Sequence, residues 1–426
     1  MRLHTISLGC QMSAADASEM QRPLARRGFS SSEDPEQADA ILINTCTVRQ
    51  HAEDRAVSLI GSLREWKEKR PDRVLIVAGC AAERLGEWLH QRFPHVDLVV
   101  GSKSIEEFPK LVEEALGRRF DALEENRRAF REVCQEPPQN GASAFLTIMR
   151  GCNYSCSYCI VPFVRGRELY REPATILTEA AEHVSRGARE LILLGQTVNS
   201  YRSHFVGKEV RFAELLRLVD RTESLERVRF MSPHPFYVDD AMVSAMAECR
   251  TGCSSLHLPI QSGSDRMLKL MRRNYTRASY LDKVERARRS IPDLTISTDI
   301  IVGFPTESEE DFERTLELIE ELRPISAYTF KYSPRQGTES SRWPDDVPTA
   351  VKEDRLERLN ALVERMSAQA LGARVGRTAE VLCEEPLSGR TRDGFRVRWK
   401  DPQAVGRTVL VRIASATTRS LIGEIA

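Results

Sequence analysis

Three cysteines within eight residues are the most distinctive chemical group in this chain. Cys152, Cys156 and Cys159 have the spacing C-x3-C-x2-C. Three thiolates on one loop can hold three irons of a four-iron, four-sulfur cluster, which leaves the fourth iron open to a small molecule. A structural zinc site needs a fourth Cys or His at short range, and none follows Cys159 closely. A disulfide would leave an odd cysteine, so the spacing favours an iron–sulfur cluster, with zinc as the alternative.

A second set of cysteines is dispersed along the first hundred residues. Cys10, Cys46 and Cys80 each follow directly after an apolar run that is typical of a buried strand. The carboxyl ends of parallel strands meet at one edge of a sheet, so the three thiols are expected to converge. They predict a second three-cysteine metal site. Coincidental packing of small apolar side chains and a redox-active thiol trio remain the alternatives.

The elements that must position these cysteines alternate between strands and helices, which predicts an α/β chain with parallel sheets. Residues 1–117 are expected to form an N-terminal parallel-sheet α/β domain. Its strands are predicted at 3–8, 40–44, 73–78 and 96–100, and its helices around 14–27, 51–68, 83–92 and 105–116. Residues 118–142 are charged and irregular and predict a linker, in which Cys134 has a structural or incidental role.

The alternation resumes in residues 143–350. Six strand–helix units are too few for a closed eightfold barrel and predict an open, partial (β/α)6 barrel. The strands are expected at 145–149, 190–194, 227–231, 255–260, 295–302 and 327–332, with helices at 173–187, 209–222, 238–249, 264–289 and 308–322. Cys152, Cys156 and Cys159 then lie on the loop after the first strand, where such folds carry their chemistry.

Polar residues near the ends of the other barrel strands predict a ligand site on one rim. They are Gly195, Gln196, Asn199, Ser232, Gln261, Ser297 and Asp299, and ordinary turn chemistry is the alternative. His234 and His257 are either proton donors or satisfied core histidines. Cys249 and Cys253 have no third ligand nearby and are expected to be structural.

A helix over residues 351–371 is expected to connect the barrel to a C-terminal domain, residues 372–426. Short alternating runs with Gly-containing turns predict a small β-barrel of OB-like size. Residues 371–426 hold ten Arg or Lys and six Asp or Glu, a net charge of +4. The basic residues cluster around aromatic ones, which predicts RNA binding by phosphate contacts and stacking. The candidates are Arg390, Arg392, Arg396 and Arg398, with Phe395 or Trp399 for stacking, and a solvated strand face is the alternative.

Composition sets the remaining limits. The 62 basic and 62 acidic residues cancel, so any nucleic-acid contact must come from local charge. No uncharged apolar run approaches the ~18 residues of a membrane span, and the N-terminus is too short and polar for a signal peptide. A cytoplasmic protein without a membrane contact is therefore expected, in which reduced thiols favour metal ligation over disulfides.

These motifs together resemble the radical S-adenosylmethionine (SAM) methylthiotransferases over nearly the whole chain. The N-terminal motifs are Gly9-Cys-Gln-Met12, Asn44-Thr-Cys-Thr-Val-Arg49 and Gly79-Cys-Ala-Ala82, and the core motif runs from Gly151 to Glu168. The C-terminal domain resembles the family's TRAM domain. The flanking residues Val161-Pro-Phe-Val-Arg-Gly166 and Leu194-Gly-Gln-Thr-Val-Asn-Ser-Tyr201 are similar to the tRNA branch. That branch usually has Asn where this chain has Ser13, which is expected to affect fine geometry near the site and not the reaction.

The resemblance implies two four-iron, four-sulfur clusters and two uses of SAM. One SAM methylates a sulfur at the auxiliary cluster on Cys10, Cys46 and Cys80. Another is cleaved at the cluster on Cys152, Cys156 and Cys159, with Tyr158 beside its adenine unless that ring is only a packed loop aromatic. The rim residues Gly195, Gln196, Ser232, Gln261, Ser297 and Asp299 are the expected SAM contacts. The resulting 5′-deoxyadenosyl radical takes hydrogen from carbon 2 of N6-isopentenyladenosine at tRNA position 37.

The implied partners are the tRNA anticodon stem-loop, a reductase as electron donor and a sulfur carrier, with the protein itself a monomer. Two other functions stay open. One is a sister methylthiotransferase that acts on threonylcarbamoyladenosine in tRNA or on a ribosomal-protein aspartate. The other is a non-enzymatic RNA-binding iron–sulfur sensor.

Overall fold

The computed structural model of this chain describes residues 1–48, 50–127 and 141–426. Arg49, Cys134 and the part of the predicted linker from 128 to 140 lie outside these residues. The chain divides into two compact units. The first contains the N-terminal elements through the fifth helix together with Ile160–Arg167, and the second contains the rest of the described chain up to Ala426.

The first unit is built on a parallel five-stranded sheet in the order β2-β1-β3-β4-β5. Its two central strands, β3 and β4, are buried along their whole length, as expected where helices cover both faces of a parallel sheet. The strands are β1 (Arg2–Ser7), β2 (Ser30–Ser31), β3 (Ala40–Thr45), β4 (Val74–Gly79) and β5 (Leu98–Gly101). The helices are α1 (Gln11–Arg26), α2 (Gln50–Ser62), α3 (Arg64–Lys69), α4 (Cys80–Arg92), α5 (Phe108–Arg127) and, from the later segment, α6 (Val161–Arg165).

Two predictions for this unit were wrong in detail. The single helix expected at 51–68 is two helices, α2 and α3. Helix α5 continues to Arg127, so residues 118–127 are helical and not part of an irregular linker. Charged residues in that stretch made it look like a linker, although Phe120 and Leu123 keep the helix packed on the core.

The second unit begins with six parallel strands, and the partial (β/α)6 barrel is confirmed. They form two three-stranded sheets, β12-β9-β6 and β13-β14-β15, which a bridge between Val228 and Gly252 joins. The six barrel strands and the two short ribbons between them, β7-β8 and β10-β11, are β6 (Ser143–Thr147), β7 (Met149–Arg150), β8 (Leu169–Tyr170), β9 (Glu190–Leu194), β10 (Arg202–Phe205), β11 (Lys208–Arg211), β12 (Arg227–Phe230), β13 (Ser255–His257), β14 (Thr295–Val302) and β15 (Ser326–Lys331). The helices are α7 (Pro173–Ser185), α8 (Phe212–Asp220), α9 (Asp240–Glu248), α10 (Asp265–Leu270), α11 (Arg277–Ser290) and α12 (Glu309–Leu322).

Helix α13 (Thr349–Gly372) leads from the partial barrel to a closed five-stranded β-barrel, as predicted. The small barrel has the order β16-β17-β18-β20-β19 and closes by antiparallel pairing of β19 with β16. Its strands are β16 (Thr378–Glu385), β17 (Ser388–Thr391), β18 (Arg396–Arg398), β19 (Thr408–Ala416) and β20 (Leu421–Ile425). Among the described residues, no helix is both long and apolar enough to cross a bilayer.

Candidate active site

The N-terminal cysteines lie where three neighbouring parallel strands end. Cys10 caps α1 just after β1, Cys46 comes directly after β3, and Cys80 opens α4 at the end of β4. The thiols of Cys10 and Cys46 share a hydrogen bond, which lowers the pKa of Cys10 and raises that of Cys46. Burial raises the pKa of the Cys80 thiol, whose charge in turn acts on Cys46. The three predicted thiols therefore follow neighbouring strands at one edge of the sheet in the first unit.

Glycines allow this close approach. Gly79 has φ +101° and ψ −162°, a backbone conformation that essentially only glycine adopts. A Cβ there would lie 2.2 Å from Asn44 Oδ1 and 2.4 Å from the Thr45 carbonyl oxygen. At Gly9, a Cβ would lie 2.3 Å from the Cβ of Cys46.

We expect Gly79→Ala to destabilise the first unit and to displace Cys80, because both the backbone angle and the space exclude a side chain. Gly28→Ala is the matched control, since Gly28 also has a positive φ (+87°) but a Cβ at that position would meet no atom within 4 Å. Strain alone costs about 1–3 kcal/mol, and Gly79→Ala adds the collision. Thermal unfolding of the cluster-free proteins, followed by circular dichroism, should give a lower midpoint for Gly79→Ala. Equal midpoints would contradict the steric argument.

Ser13, the departure from the family pattern, lies beside Cys10. Its hydroxyl oxygen is 3.6 Å from the Cys10 sulfur, and its backbone carbonyl accepts a hydrogen bond from the Asn44 amide. Ser13 is buried. The residue therefore contributes to the surroundings of Cys10, as the sequence predicted.

The second cysteine set lies on the loop after β6, as predicted. The Cys152 sulfur is 3.3 Å from the Thr197 hydroxyl, and the Cys156 sulfur accepts a hydrogen bond from Arg273 Nη1 at 3.3 Å. Burial raises the pKa of Cys152, and the Thr197 hydroxyl opposes that rise. Hydrogen-bond donors around these sulfurs suit thiolate ligands. Thr197 and Arg273 were not predicted as site residues, because neither belongs to a cysteine motif and only the fold brings them here.

The two donor sets have the chemistry of iron–sulfur ligands, since such clusters take Cys thiolates as their protein ligands. A tetrahedral zinc with thiolate ligands at about 2.3 Å holds its sulfurs close together. Among the described residues, no three His, Cys, Asp or Glu side chains are arranged to hold one metal ion. A four-iron cluster binds each thiolate to a different iron, so its sulfur ligands lie farther apart than those of a single zinc ion. All six cysteines are free thiols, and the three of the second set are partly exposed.

The predicted SAM contacts are spread over the rim and the interior of the partial barrel. Gly195 follows β9 and has no room for a Cβ, which would lie 2.4 Å from Met149 Cγ. The side-chain oxygen of Gln196 is buried without a hydrogen-bond partner among the described residues, so it is available to a bound molecule. Ser232 and Gln261 both have left-handed backbone, at φ 60° and 76°.

The remaining predicted SAM contacts are Ser297, Asp299 and Tyr158. The bounds of β14 are those predicted, but Ser297 and Asp299, which were expected near a strand end, lie inside the strand. They project from the same face, where His257 meets the Ser297 hydroxyl at 3.0 Å and Asp299 Oδ1 at 3.3 Å. Tyr158 packs edge-on against Phe304, with ring centroids 6.4 Å apart.

Two histidines have distinct surroundings. His234 stacks on Tyr154 of the cysteine loop, with ring centroids 4.0 Å apart. Burial, with the charges of Arg273 and Lys283, lowers the pKa of His234 to about 2, so its ring is neutral. Its Nδ1 accepts from the Phe236 amide, which leaves Nε2 as a buried N–H without a partner among the described residues. His257 instead packs edge-on against the half-exposed ring of Tyr328, which sequence analysis also missed.

The structure corrects the predicted RNA contacts in the C-terminal barrel. Phe395 and Trp399 are about 5% exposed and belong to the barrel core, and the Trp399 indole donates to the Pro386 carbonyl. They are not available for stacking on bases. Alternation along β18 explains the error, since its aromatic neighbours point inward and its arginines outward.

Two of the predicted arginines dock the small barrel onto the partial barrel. Arg392 donates to the carbonyls of Arg250 and Glu226, and the carbonyl of Arg390 accepts from Arg227. Arg390, Arg392 and Arg396 also pair with Glu384, Glu380 and Glu385. These pairs neutralise much of the local charge, so the exposed Arg398 is the strongest remaining candidate of the four.

Comparison with known protein families supports this assignment of elements. A family profile described as the Radical SAM superfamily matches residues 146–319. A second, described as uncharacterized protein family UPF0004, matches residues 2–101. The two matches fall on the two regions that carry the cysteine sets.

Curated relatives match nearly the full chain. The chain is 41% identical to the tRNA-2-methylthio-N(6)-dimethylallyladenosine synthase of Clostridium botulinum (strain Hall), over 98% of this chain and 95% of the relative. It is 42% identical to the enzyme of the same name from Syntrophobacter fumaroxidans, over 99% and 95%.

Solved structures show the same fold at low identity. The radical S-adenosylmethionine methyltransferase TsrM from Kitasatospora setae, with cobalamin and a [4Fe-4S] cluster bound, matches with a TM-score of 0.57 at 15% identity. That match covers 80% of this chain and 76% of TsrM.

Proposed function

We propose that this chain, which belongs to the tRNA-2-methylthio-N(6)-dimethylallyladenosine synthases of the radical SAM superfamily, converts N6-isopentenyladenosine at tRNA position 37 to its 2-methylthio derivative. The observation that carries the proposal is the presence of two three-cysteine sets, each at the carboxyl ends of parallel strands. One set lies in each unit of the chain. A single set would support SAM cleavage or sulfur carriage, but not both.

Each cofactor can be assigned to a set of residues that would bind it. Cys152, Cys156 and Cys159 would hold the cluster that binds SAM, and Cys10, Cys46 and Cys80 the auxiliary cluster. When bound, the two clusters and SAM supply the hydrogen abstraction and the methylthio sulfur. Thr197 and Arg273 hold the thiolates of Cys152 and Cys156 by hydrogen bonds.

Around that loop, the chain offers polar atoms that the protein itself leaves unused. The free oxygen of Gln196 suits an ammonium or amide donor, and the free Nε2–H of His234 suits a carboxylate or a ring nitrogen. Inside the partial barrel, the linked side chains of His257, Ser297 and Asp299 and the open ring of Tyr328 suit a purine, by hydrogen bonding and stacking.

The C-terminal barrel closes the amino-terminal end of the partial barrel. Arg229 donates to the Thr391 carbonyl at 2.6 Å, and the Thr295 hydroxyl donates to the Asp393 carbonyl at 2.6 Å. These buried contacts exclude water from the end of the barrel opposite the cysteine loop. Deleting residues 372–426 would therefore expose this end of the partial barrel to water, in addition to removing any RNA contact that the C-terminal barrel makes.

The partners proposed for this reaction are the tRNA anticodon stem-loop, a reductase that donates electrons and a source of sulfur, with the enzyme acting as a monomer. Mass spectrometry of tRNA nucleosides from cells with and without this protein tests the substrate. Loss of the 2-methylthio derivative of isopentenyladenosine is expected. Loss of the methylthio group from threonylcarbamoyladenosine, or from a ribosomal-protein aspartate, would assign the chain to a sister activity.

Exposed cations at one end of the C-terminal barrel are the best source of tRNA phosphate contacts. Arg398 ends β18, Lys400 follows it and Arg407 precedes β19. All three are exposed, and within the described chain their side chains make no ion pair. Asp401 is the acidic residue in the same loop.

We expect the combined variant Arg398→Ala, Lys400→Ala and Arg407→Ala to bind tRNA more weakly and with a flatter salt dependence. Each lost phosphate contact removes roughly 0.7–0.9 from the log–log salt slope, so about 2–3 in total. Arg396→Ala with Arg412→Ala is the matched control, because those arginines are already paired with Glu385 and Glu424. Filter binding of tRNA at several salt concentrations measures the slope. An unchanged slope in the triple variant would place the RNA path elsewhere.

A further inference from the structure

A buried guanidinium beside the N-terminal cysteines has one nitrogen without a partner. Arg165 ends helix α6 and belongs to the first unit. Its side chain is 5% exposed, and Nη2 donates to the fully buried Asp16 Oδ2 at 2.6 Å. Nη1 is also buried, and no described atom accepts a hydrogen bond from it. A buried charged N–H group without an acceptor is costly, so the position indicates a missing acceptor.

The electrostatic effect of Arg165 reaches two of the N-terminal cysteines. The positive charge of Arg165 acts on the thiols of both Cys10 and Cys80. Cys80 also packs against Ile160 and Val164 of the same short segment. The segment that carries Arg165 therefore packs against Cys80, and the guanidinium is fixed by Asp16 on the helix that Cys10 caps.

The positive charge of Arg165 offsets negative charge at the proposed cluster site. Three thiolates outweigh the positive charge of the iron–sulfur core that they would hold. Asp16 adds a further negative charge in a region where Cys46 and Cys80 are 2% exposed. Ions in such surroundings need a partner of opposite charge. Arg165 provides one, and Asp16 fixes its orientation.

We propose that Arg165 is a positioning residue for the auxiliary cluster, whose free Nη1–H group donates to sulfur there and whose charge raises the reduction potential of that cluster. The proposal rests on the proposed function, because it requires a cluster on Cys10, Cys46 and Cys80. Hydrogen bonds to cluster sulfurs are a known determinant of potential. A purely structural role for the pair of Arg165 with Asp16 is the competing explanation.

The test uses the full-length chain with Cys152, Cys156 and Cys159 replaced by Ala, so that the auxiliary cluster alone gives a paramagnetic signal on reduction. A redox titration followed by electron paramagnetic resonance measures its potential. Arg165→Met should shift the potential to more negative values, because a positive charge and a donor are lost, and Arg165→Lys should recover most of the shift. Asp16→Asn should shift it in the opposite direction, since it removes a negative charge.

Opposite signs separate the two explanations. A purely structural ion pair would make Arg165→Met and Asp16→Asn unstable in the same way without moving the potential in opposite directions. Arg73→Met is the matched control, because Arg73 has an equally buried side chain but lies at the amino end of β4, away from Cys80. If Arg165→Met does not retain iron, the Asp16→Asn shift still decides the case.

Iron analysis of the parent variant, in which Cys152, Cys156 and Cys159 are replaced by Ala, tests the auxiliary cluster separately from the role of Arg165. A parent without iron would refute the auxiliary cluster itself. A parent with a reducible cluster, whose potential neither Arg165→Met nor Asp16→Asn changes, would refute only the role of Arg165.

Discussion

Replacing Cys152, Cys156 and Cys159 by Ala is expected to halve the bound iron and to abolish SAM cleavage. After anaerobic reconstitution the unmutated chain should hold about eight irons, from two four-iron clusters, and the variant about four. Cleavage is lost because the cysteines that would hold the SAM-binding cluster are gone. Iron analysis, and chromatography of 5′-deoxyadenosine after reduction with dithionite, measure the two effects.

The control for this variant is Cys249→Ala with Cys253→Ala. These cysteines line a small apolar cavity with Leu216, Val228 and Met246. The control should keep all of its iron. If the unmutated chain holds only about four irons, the auxiliary cluster is wrong. If the chain binds tRNA but never cleaves SAM, it is a sensor and not an enzyme.

Much of the fold follows from local pattern. The strands Glu190–Leu194 and Thr295–Val302 begin and end where they were predicted, because continuous apolar or alternating runs are bounded there by charged or turn residues. The short strand Ser388–Thr391 was not predicted. It has little β propensity of its own and exists because β16 and β18 pair with it on both sides.

The cysteine ligands could be predicted from spacing, but their surroundings could not. Arg273 lies 117 positions from Cys156 in the sequence, and Arg165 lies 149 from Asp16. No periodicity links residues so far apart, and only the closure of the fold brings them together. The clustering of basic and aromatic residues at 390–400 was misleading for a different reason. In a barrel strand, alternate side chains point to opposite faces, so neighbours in sequence did not form one surface.

Replacing Cys10, Cys46 and Cys80 by Ala should separate the two halves of the reaction. The cysteines that would bind the SAM-cleaving cluster lie in the other unit, so that cluster should assemble and 5′-deoxyadenosine should still form. Methylthiolated tRNA should disappear, because the sulfur has no holder. Mass spectrometry of tRNA nucleosides and chromatography of 5′-deoxyadenosine from the same reaction measure both outcomes.

Two controls make that result specific. Cys383→Ala replaces a buried cysteine of the C-terminal barrel and should leave both products unchanged. Circular dichroism should show that the triple variant keeps its helices, since Ala fits the space of each cysteine in the sheet edge. Retained methylthiolation would disprove the auxiliary cluster. Loss of methylthiolation together with an unchanged iron content would point instead to a redox-active thiol trio, because the thiols would then act without holding iron.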